Sequence, residues 1–231
     1  MKKVFLHTPT IRIWHWINAM LVIVLMITGI QLRVPGVKEI SSGLAFLIPE
    51  YSVTVLIHIY FGYGMSLSFL FWLLYIIVSG SFRTHYIWRT ADLPAMGKQG
   101  YYYLVGIFKG SENPFIPTSD GKFNPLQKIA YGFVMLVITP VMVITGILFS
   151  NIFFFRSIID RLGGIRLLDA VHVVTSYLFL LYLILHLYMC TMSHHVFVHI
   201  KAMITGFEEI PDEFNAKQQA AEREDKCESQ Q

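Results

Sequence analysis

Four apolar stretches organise this chain, at roughly 14–33, 53–79, 126–150 and 167–192. Leu, Ile, Val, Phe and Met fill them, and none carries Lys, Arg or Glu near its centre. A helix needs about 20 residues to cross a bilayer core, and each stretch reaches that length. The pattern predicts an all-α membrane protein, a four-helix transmembrane bundle with a long cytoplasmic loop between the second and third helices. The helical domain is placed at 1–207. The remaining 208–231 are polar, acidic and without periodicity. Such a composition buries too little apolar surface to order itself, so a disordered cytoplasmic tail is expected.

The connections carry weaker patterns. VPGVKEISSGLAFLIPEY, 34–51, is semi-apolar and is expected at the membrane interface. The loop between the second and third spans is rich in tyrosines, turn residues and basic charges, which suggests an ordered cap. NIFFFRSIIDRLGGIRLLDA, 151–170, alternates apolar residues with arginines and predicts a surface helix leading into a Gly-Gly break. Pro140 lies inside the third span and should bend it.

Composition agrees with the pattern. Hydrophobic residues make up 55% and charged residues 14%, against about 25% charged in soluble domains. Mean hydropathy is +0.55. The opening MKKVF is basic and then apolar, but the run that follows is too long for a signal peptide and no small-residue cleavage site follows it. It is read as a retained helix. Lys2, Lys3, Arg12, Arg83, Arg89, Lys98, Lys109, Lys122, Lys128, Lys201, Lys217, Arg223 and Lys226 fall on one side, and only Arg33, Lys38, Arg156, Arg161 and Arg166 on the other. The positive-inside rule then puts both termini in the cytoplasm, in a multi-pass protein. Cys190 and Cys227 are the only cysteines. Both fall at or beyond the cytoplasmic end, where no disulfide or thiolate metal site is expected.

Nine histidines remain, and four of them, His15, His58, His172 and His186, lie inside apolar spans. Ionisable groups are costly there and mark function. His172 and His186 are 14 residues apart, four helical turns less roughly 40°, so they share a face about 21 Å apart along the axis. Depth pairs the four. His15 and His186 fall near the cytoplasmic edge, His58 and His172 near the external edge. Two imidazoles facing each other across a bundle can clamp a haem, one axial ligand from each side, and two such haems make a wire across the bilayer. A lone histidine can instead satisfy itself on a backbone carbonyl. Four at matched depths argue for the clamp.

Haem needs room beside the helix backbone, which small residues provide. Gly62 and Ser176 each lie four residues after an external histidine, and Gly29 and Gly146 fall at similar depth. Gly29 and Gly146 sit in an internal echo, MITGI at 26–30 and VITGI at 143–147. Arg12, one turn before His15, is either a haem-propionate partner or a topology anchor. Trp14 and Trp16 read most simply as interface anchors. His7 and His85 read as surface residues. His194, His195 and His199 form either a polar cap or a proton relay.

RIWHW (12–16), IHIYFG (57–62), GKFNPLQK (121–128) and LLDAVHVVTSYLFLLYLILHLYM (167–189) together resemble the di-haem cytochrome b subunits of bacterial respiratory formate dehydrogenases and uptake nickel-iron hydrogenases. RIWHW leans towards the hydrogenase branch and GKFNPLQK towards the formate dehydrogenase branch. The resemblance implies two haem b groups with iron ligands His15, His58, His172 and His186. It also implies a quinone pocket on the cytoplasmic side at Asn124, His186 and Gln127, with Gly121 and Lys128 as looser candidates and menaquinone or ubiquinone as substrate. Asn-Pro at 124–125 equally reads as a turn opening the third helix.

The implied function is an electron-transfer subunit of a quinone-linked oxidoreductase. Its partners would be periplasmic iron–sulfur and catalytic subunits or a multihaem cytochrome c, with membrane lipid around it and no nucleic acid. The chain holds no catalytic dyad, nucleophile or phosphate loop, so substrate chemistry would belong to partners. Two other readings stand beside this one. The first is a stand-alone quinol-oxidising cytochrome b. The second is a metal or proton transporter using membrane histidines, although the spans offer almost no carboxylates to line a path.

Overall fold

Why the apolar stretches become helices follows from the bilayer, where every backbone N–H and C=O must be satisfied within its own segment. In a computed structural model, which describes residues 2–33, 50–80, 92–111, 113–115, 124–191 and 197–210, the elements run β1 (Lys2–Phe5), α1 (Pro9–Arg33), α2 (Tyr51–Val78), α3 (Asp92–Tyr101), α4 (Pro125–Ser150), α5 (Ile152–Arg161), α6 (Ile165–Thr191), α7 (Val198–Thr205) and β2 (Phe207–Ile210). Among the described residues α1, α2, α4 and α6 are long and apolar enough to cross a membrane. They lie within five residues of the expected spans at every end, and the all-α membrane class holds. The chain divides into two compact units, one made of 1–12, 79–132 and 186–231, the other of 13–78 and 133–185.

The second unit is patterned for lipid. Its exposed positions are large and apolar, with Leu67 at 70% and Val78 at 86% exposure. Its buried positions include Thr28, Gln31, Thr54, Thr139, Thr145 and Thr175. Lipid tails are as apolar as leucine, so association of helices relies on close packing and hydrogen bonds, and small polar residues turn inward. Tyr63 on α2 donates from its hydroxyl to Ser150 Oγ at the end of α4, 2.6 Å. Inside α4 a π-helical turn over Val134–Ile138 precedes Pro140, whose nitrogen carries no N–H for the regular ladder.

The surface helix expected after the third span is α5. Asn151 caps it, its side-chain oxygen accepting from Phe154 N at 3.1 Å. Ile159 packs with Leu148 and Leu168 in a small core, while Phe153 and Phe154 stay exposed. Gly163 and Gly164 follow with φ of 106° and 85°. Glycine takes these left-handed angles without a side-chain clash, which lets the chain turn back into α6.

In the first unit, β1 and β2 form an antiparallel pair with Lys2 opposite Ile210 and Phe5 opposite Phe207. This corrects one expectation. Glu208–Ile210 were assigned to the unstructured tail, yet backbone pairing with the N-terminus and the edge-on packing of Phe5 against Phe207, centroids 5.3 Å apart, hold them in a strand. Residues 211–231 lie outside the described set. So do 34–49, His85, His194, His195, Gly121 and Cys227.

Candidate functional site

The centre of the second unit is a pair of histidines. His58 on α2 and His172 on α6 face each other with ring centroids 6.4 Å apart and planes turned by 77°. Each ring is held by a threonine from a neighbouring span. Thr28 Oγ1 on α1 lies 2.8 Å from His58 Nδ1, and Thr145 Oγ1 on α4 lies 2.7 Å from His172 Nδ1. The same hydroxyls reach back along their own helices, Thr28 to the Val24 carbonyl at 2.8 Å and Thr145 to the Val141 carbonyl at 2.7 Å. Phe149 closes one side, its ring 5.7 Å from that of His172.

Two of the expected glycines serve this pair. A Cβ on Gly29 would lie 3.4 Å from His58 Cε1, and one on Gly146 would lie 3.7 Å from His172 Cε1. They admit the imidazoles themselves. A Cβ on Gly62 would meet nothing within 4 Å, so space is open beside α2 one turn beyond His58. Ser176 donates to the Val173 carbonyl of its own helix at 2.7 Å.

These residues fit a haem. An imidazole nitrogen holds a transition metal at about 2 Å, which places the centroids of two rings on opposite sides of one metal roughly 6 Å apart. The observed separation matches, and a metal-ligating histidine commonly hydrogen-bonds through its other ring nitrogen, where here each Nδ1 has a threonine oxygen within 2.8 Å. Among the described residues no three His, Cys, Asp or Glu side chains gather into a cation cage. What the arrangement offers is two facing imidazoles.

The first unit holds a polar cluster at the start of α4. Asn124 is buried and its side-chain oxygen accepts from Gln127 N at 2.8 Å, while Gln127 Oε1 accepts from Asn124 N at 3.2 Å. This reciprocal pair is a capping box, and Pro125 fits the first helical position, which needs no N–H. Asn124 Nδ2 then donates to the Tyr103 hydroxyl at 2.9 Å. Buried Gln99 also bonds Tyr103 and donates to Asn113 Oδ1 at 3.1 Å. Burial pushes the Tyr103 phenol above its ordinary range, against the opposing effect of the Gln99 and Asn124 hydrogen bonds. The turn reading of Asn-Pro thus describes the local structure, and Tyr103, Gln99 and Asn113 join the expected Asn124 and Gln127. Lys128 donates its backbone N–H to the Asn124 carbonyl.

His186, in this same unit, has the Tyr131 ring at 6.2 Å and Cys190 Sγ 3.8 Å from Nε2. His15 belongs to the other unit and packs edge-on against Trp16, centroids 5.4 Å apart. Trp14 does more than anchor. It stacks on buried Trp72 at 6.5 Å and donates to the Ser68 carbonyl at 3.1 Å, because Asn18 and Ser68 create a polar seam beside it. Arg12 donates from its guanidinium to the Ile204 carbonyl. His199 pairs with buried Glu208 at 3.4 Å.

Sequence reasoning passed over Thr28 and Thr145. Both threonines stand beside the glycines in the MITGI and VITGI echo, which is their signal in the sequence.

The family described as prokaryotic cytochrome b561 matches residues 6–206. A protein of Escherichia coli (strain K12) described as "Putative cytochrome YdhU" is 30% identical over 209 residues, which covers 89% of this chain and 75% of that one.

Proposed function

We propose, for a chain that belongs to the prokaryotic cytochrome b561 family, a di-haem electron-carrying subunit that links an external redox partner to the quinone pool. The family makes it a transmembrane b-type cytochrome that binds haem b and transfers electrons. The number of haems, the partner and the quinone are our reading. Bound haem supplies one-electron exchange at a potential set by its axial ligands, hydrogen bonds and burial.

His58 and His172 would hold one haem b, and the depth argument assigns His15 and His186 to a second. Gly29 and Gly146 keep the first pair of rings free to approach. Asn124, with Gln127 and His186, would position a quinone carbonyl on the cytoplasmic side. One Asn124 N–H is given to Tyr103, and an amide carries a second. The partner would be an iron–sulfur or catalytic subunit of a formate dehydrogenase or hydrogenase, or a multihaem cytochrome c. The chain would sit in the bacterial inner membrane with both termini cytoplasmic. Pairing of β1 with β2 supports both ends lying on one side. Moving a charge against 100 mV costs about 2.3 kcal/mol, so inward electron flow with cytoplasmic proton uptake would build proton-motive force.

The observation that carries this reading is the 6.4 Å His58–His172 pair with a threonine on each ring. The test is a pyridine haemochrome assay on the purified chain. Two haems b per chain are expected, and His172→Ala should lose one of them while leaving the other spectrally intact. Retention of both haems in that variant would overturn the pairing.

A further inference from the structure

We infer that Thr28 and Thr145 are matched positioning residues: they set the tautomer of His58 and His172 and so lower the potential of the haem held between those rings. This rests on the haem reading above.

A threonine hydroxyl has one proton and two acceptor sites, and a backbone carbonyl can only accept. Thr28 Oγ1 lies 2.8 Å from the Val24 carbonyl and 3.2 Å from the Leu25 carbonyl. The hydroxyl proton goes to these acceptors. The oxygen then offers a lone pair to His58 Nδ1, 2.8 Å away, and the ring proton sits on Nδ1. Nε2 is left unprotonated, with the lone pair that a metal requires. The assignment comes from the hydrogen-bond network, as tautomers do.

The second ring repeats the first. Thr145 Oγ1 lies 2.7 Å and 3.2 Å from the Val141 and Met142 carbonyls and 2.7 Å from His172 Nδ1. In both cases the next residue is the glycine that clears the adjoining ring atom, Cε1. Adjacent residues of one helix thus contact adjacent atoms of the facing imidazole. The echoed Ile-Thr-Gly-Ile at 27–30 and 144–147 is therefore one device used twice, once for each histidine ring.

An acceptor on the ring N–H raises the basicity of the ligating nitrogen. A more basic ligand favours the oxidised iron, so the two threonines together pull the potential down. Valine keeps the shape of threonine and removes the acceptor, leaving Nδ1–H without it in a water-free setting, where an unmade hydrogen bond is costly.

The test uses the full chain with Thr28→Val, Thr145→Val and the corresponding serine variants, read by haem stoichiometry and by optical redox titration. Each valine variant should raise the midpoint potential of the same haem and leave the other unchanged, and each serine variant should return it towards wild type. Should a valine variant lose that haem outright, retention by its serine counterpart at the wild-type potential also supports the inference. Unshifted potentials in the valine variants would overturn it, as would shifts on different haems or equal loss from valine and serine variants. A wild-type chain without haem would instead overturn the function proposed above, and the inference with it.

Discussion

Gly29 lies directly under the imidazole of His58, where a methyl group would stand 3.4 Å from Cε1. That distance is the tight edge of ordinary van der Waals contact, so alanine fits with no slack beside the ring. A longer side chain does not fit at all. Gly29→Ala is expected to bind haem with a reduced occupancy at this site, and Gly29→Leu to lose that haem. The same series at Gly146, with 3.7 Å available, should tolerate alanine better. Haem-to-protein ratios of the four variants check the order.

Asn124 combines a structural and a proposed functional role, and substitution can separate them. Asn124→Ala removes the cap of α4 and should lower stability by about 1 kcal/mol. Asn124→Ser keeps a capping oxygen but loses the amide donor. Its unfolding midpoint should fall less than that of the alanine variant, by the one hydrogen bond lost to Tyr103. If Asn124 binds quinone, the serine variant still raises KM for a quinol substrate, and an unchanged KM would remove Asn124 from that site.

Tyr103 gives a pH dependence with a definite sign. Its phenol is raised above 10.0, chiefly by burial. The unfolded chain therefore ionises first as pH rises. The contribution of the neutral phenol is fully present below pH 10.0 and is lost as pH climbs from there through the raised value. Tyr103→Phe should remove that alkaline slope. At neutral pH it should cost about 1 kcal/mol for the lost hydrogen bonds. Unfolding midpoints of the two proteins between pH 8 and about 11 make the comparison.

Gly206 ends α7 with φ of +89°, and a Cβ there would lie 2.9 Å from the His7 carbonyl oxygen. Gly206→Ala meets both an unfavourable backbone angle and a backbone clash, so a loss above about 1 kcal/mol is expected. The damage should concentrate in the β1–β2 pair. Hydrogen exchange of residues 2–7 and 207–210 should quicken while that of the membrane spans is unchanged.

Much of the fold was legible in the order of residues. Length and apolarity of a span are local properties, and the bilayer imposes one backbone solution on them. The four histidines stand out in the sequence as charge-capable groups against an apolar background, and the structure brings His58 and His172 face to face. The surface helix α5 and its Gly163–Gly164 break followed from local signals of the same kind.

Contacts between distant segments were not legible. Ile-Thr-Gly occurs at 27–29, 144–146 and 204–206. In the first two the threonine hydroxyl meets a histidine and the glycine clears its ring. In the third the threonine bonds the Lys201 carbonyl and the glycine takes a left-handed angle to end a helix. Identical letters serve two purposes, and the surroundings choose between them. Glu208–Ile210 show the same limit, since a strand's partner is set by pairing across the whole chain. By itself the sequence determined a four-span protein with four histidines inside its spans, because burial in lipid acts on each segment separately. Only the tertiary structure decided that Thr28 and Thr145 complete the His58–His172 site, because hydrogen bonds between helices depend on which faces meet.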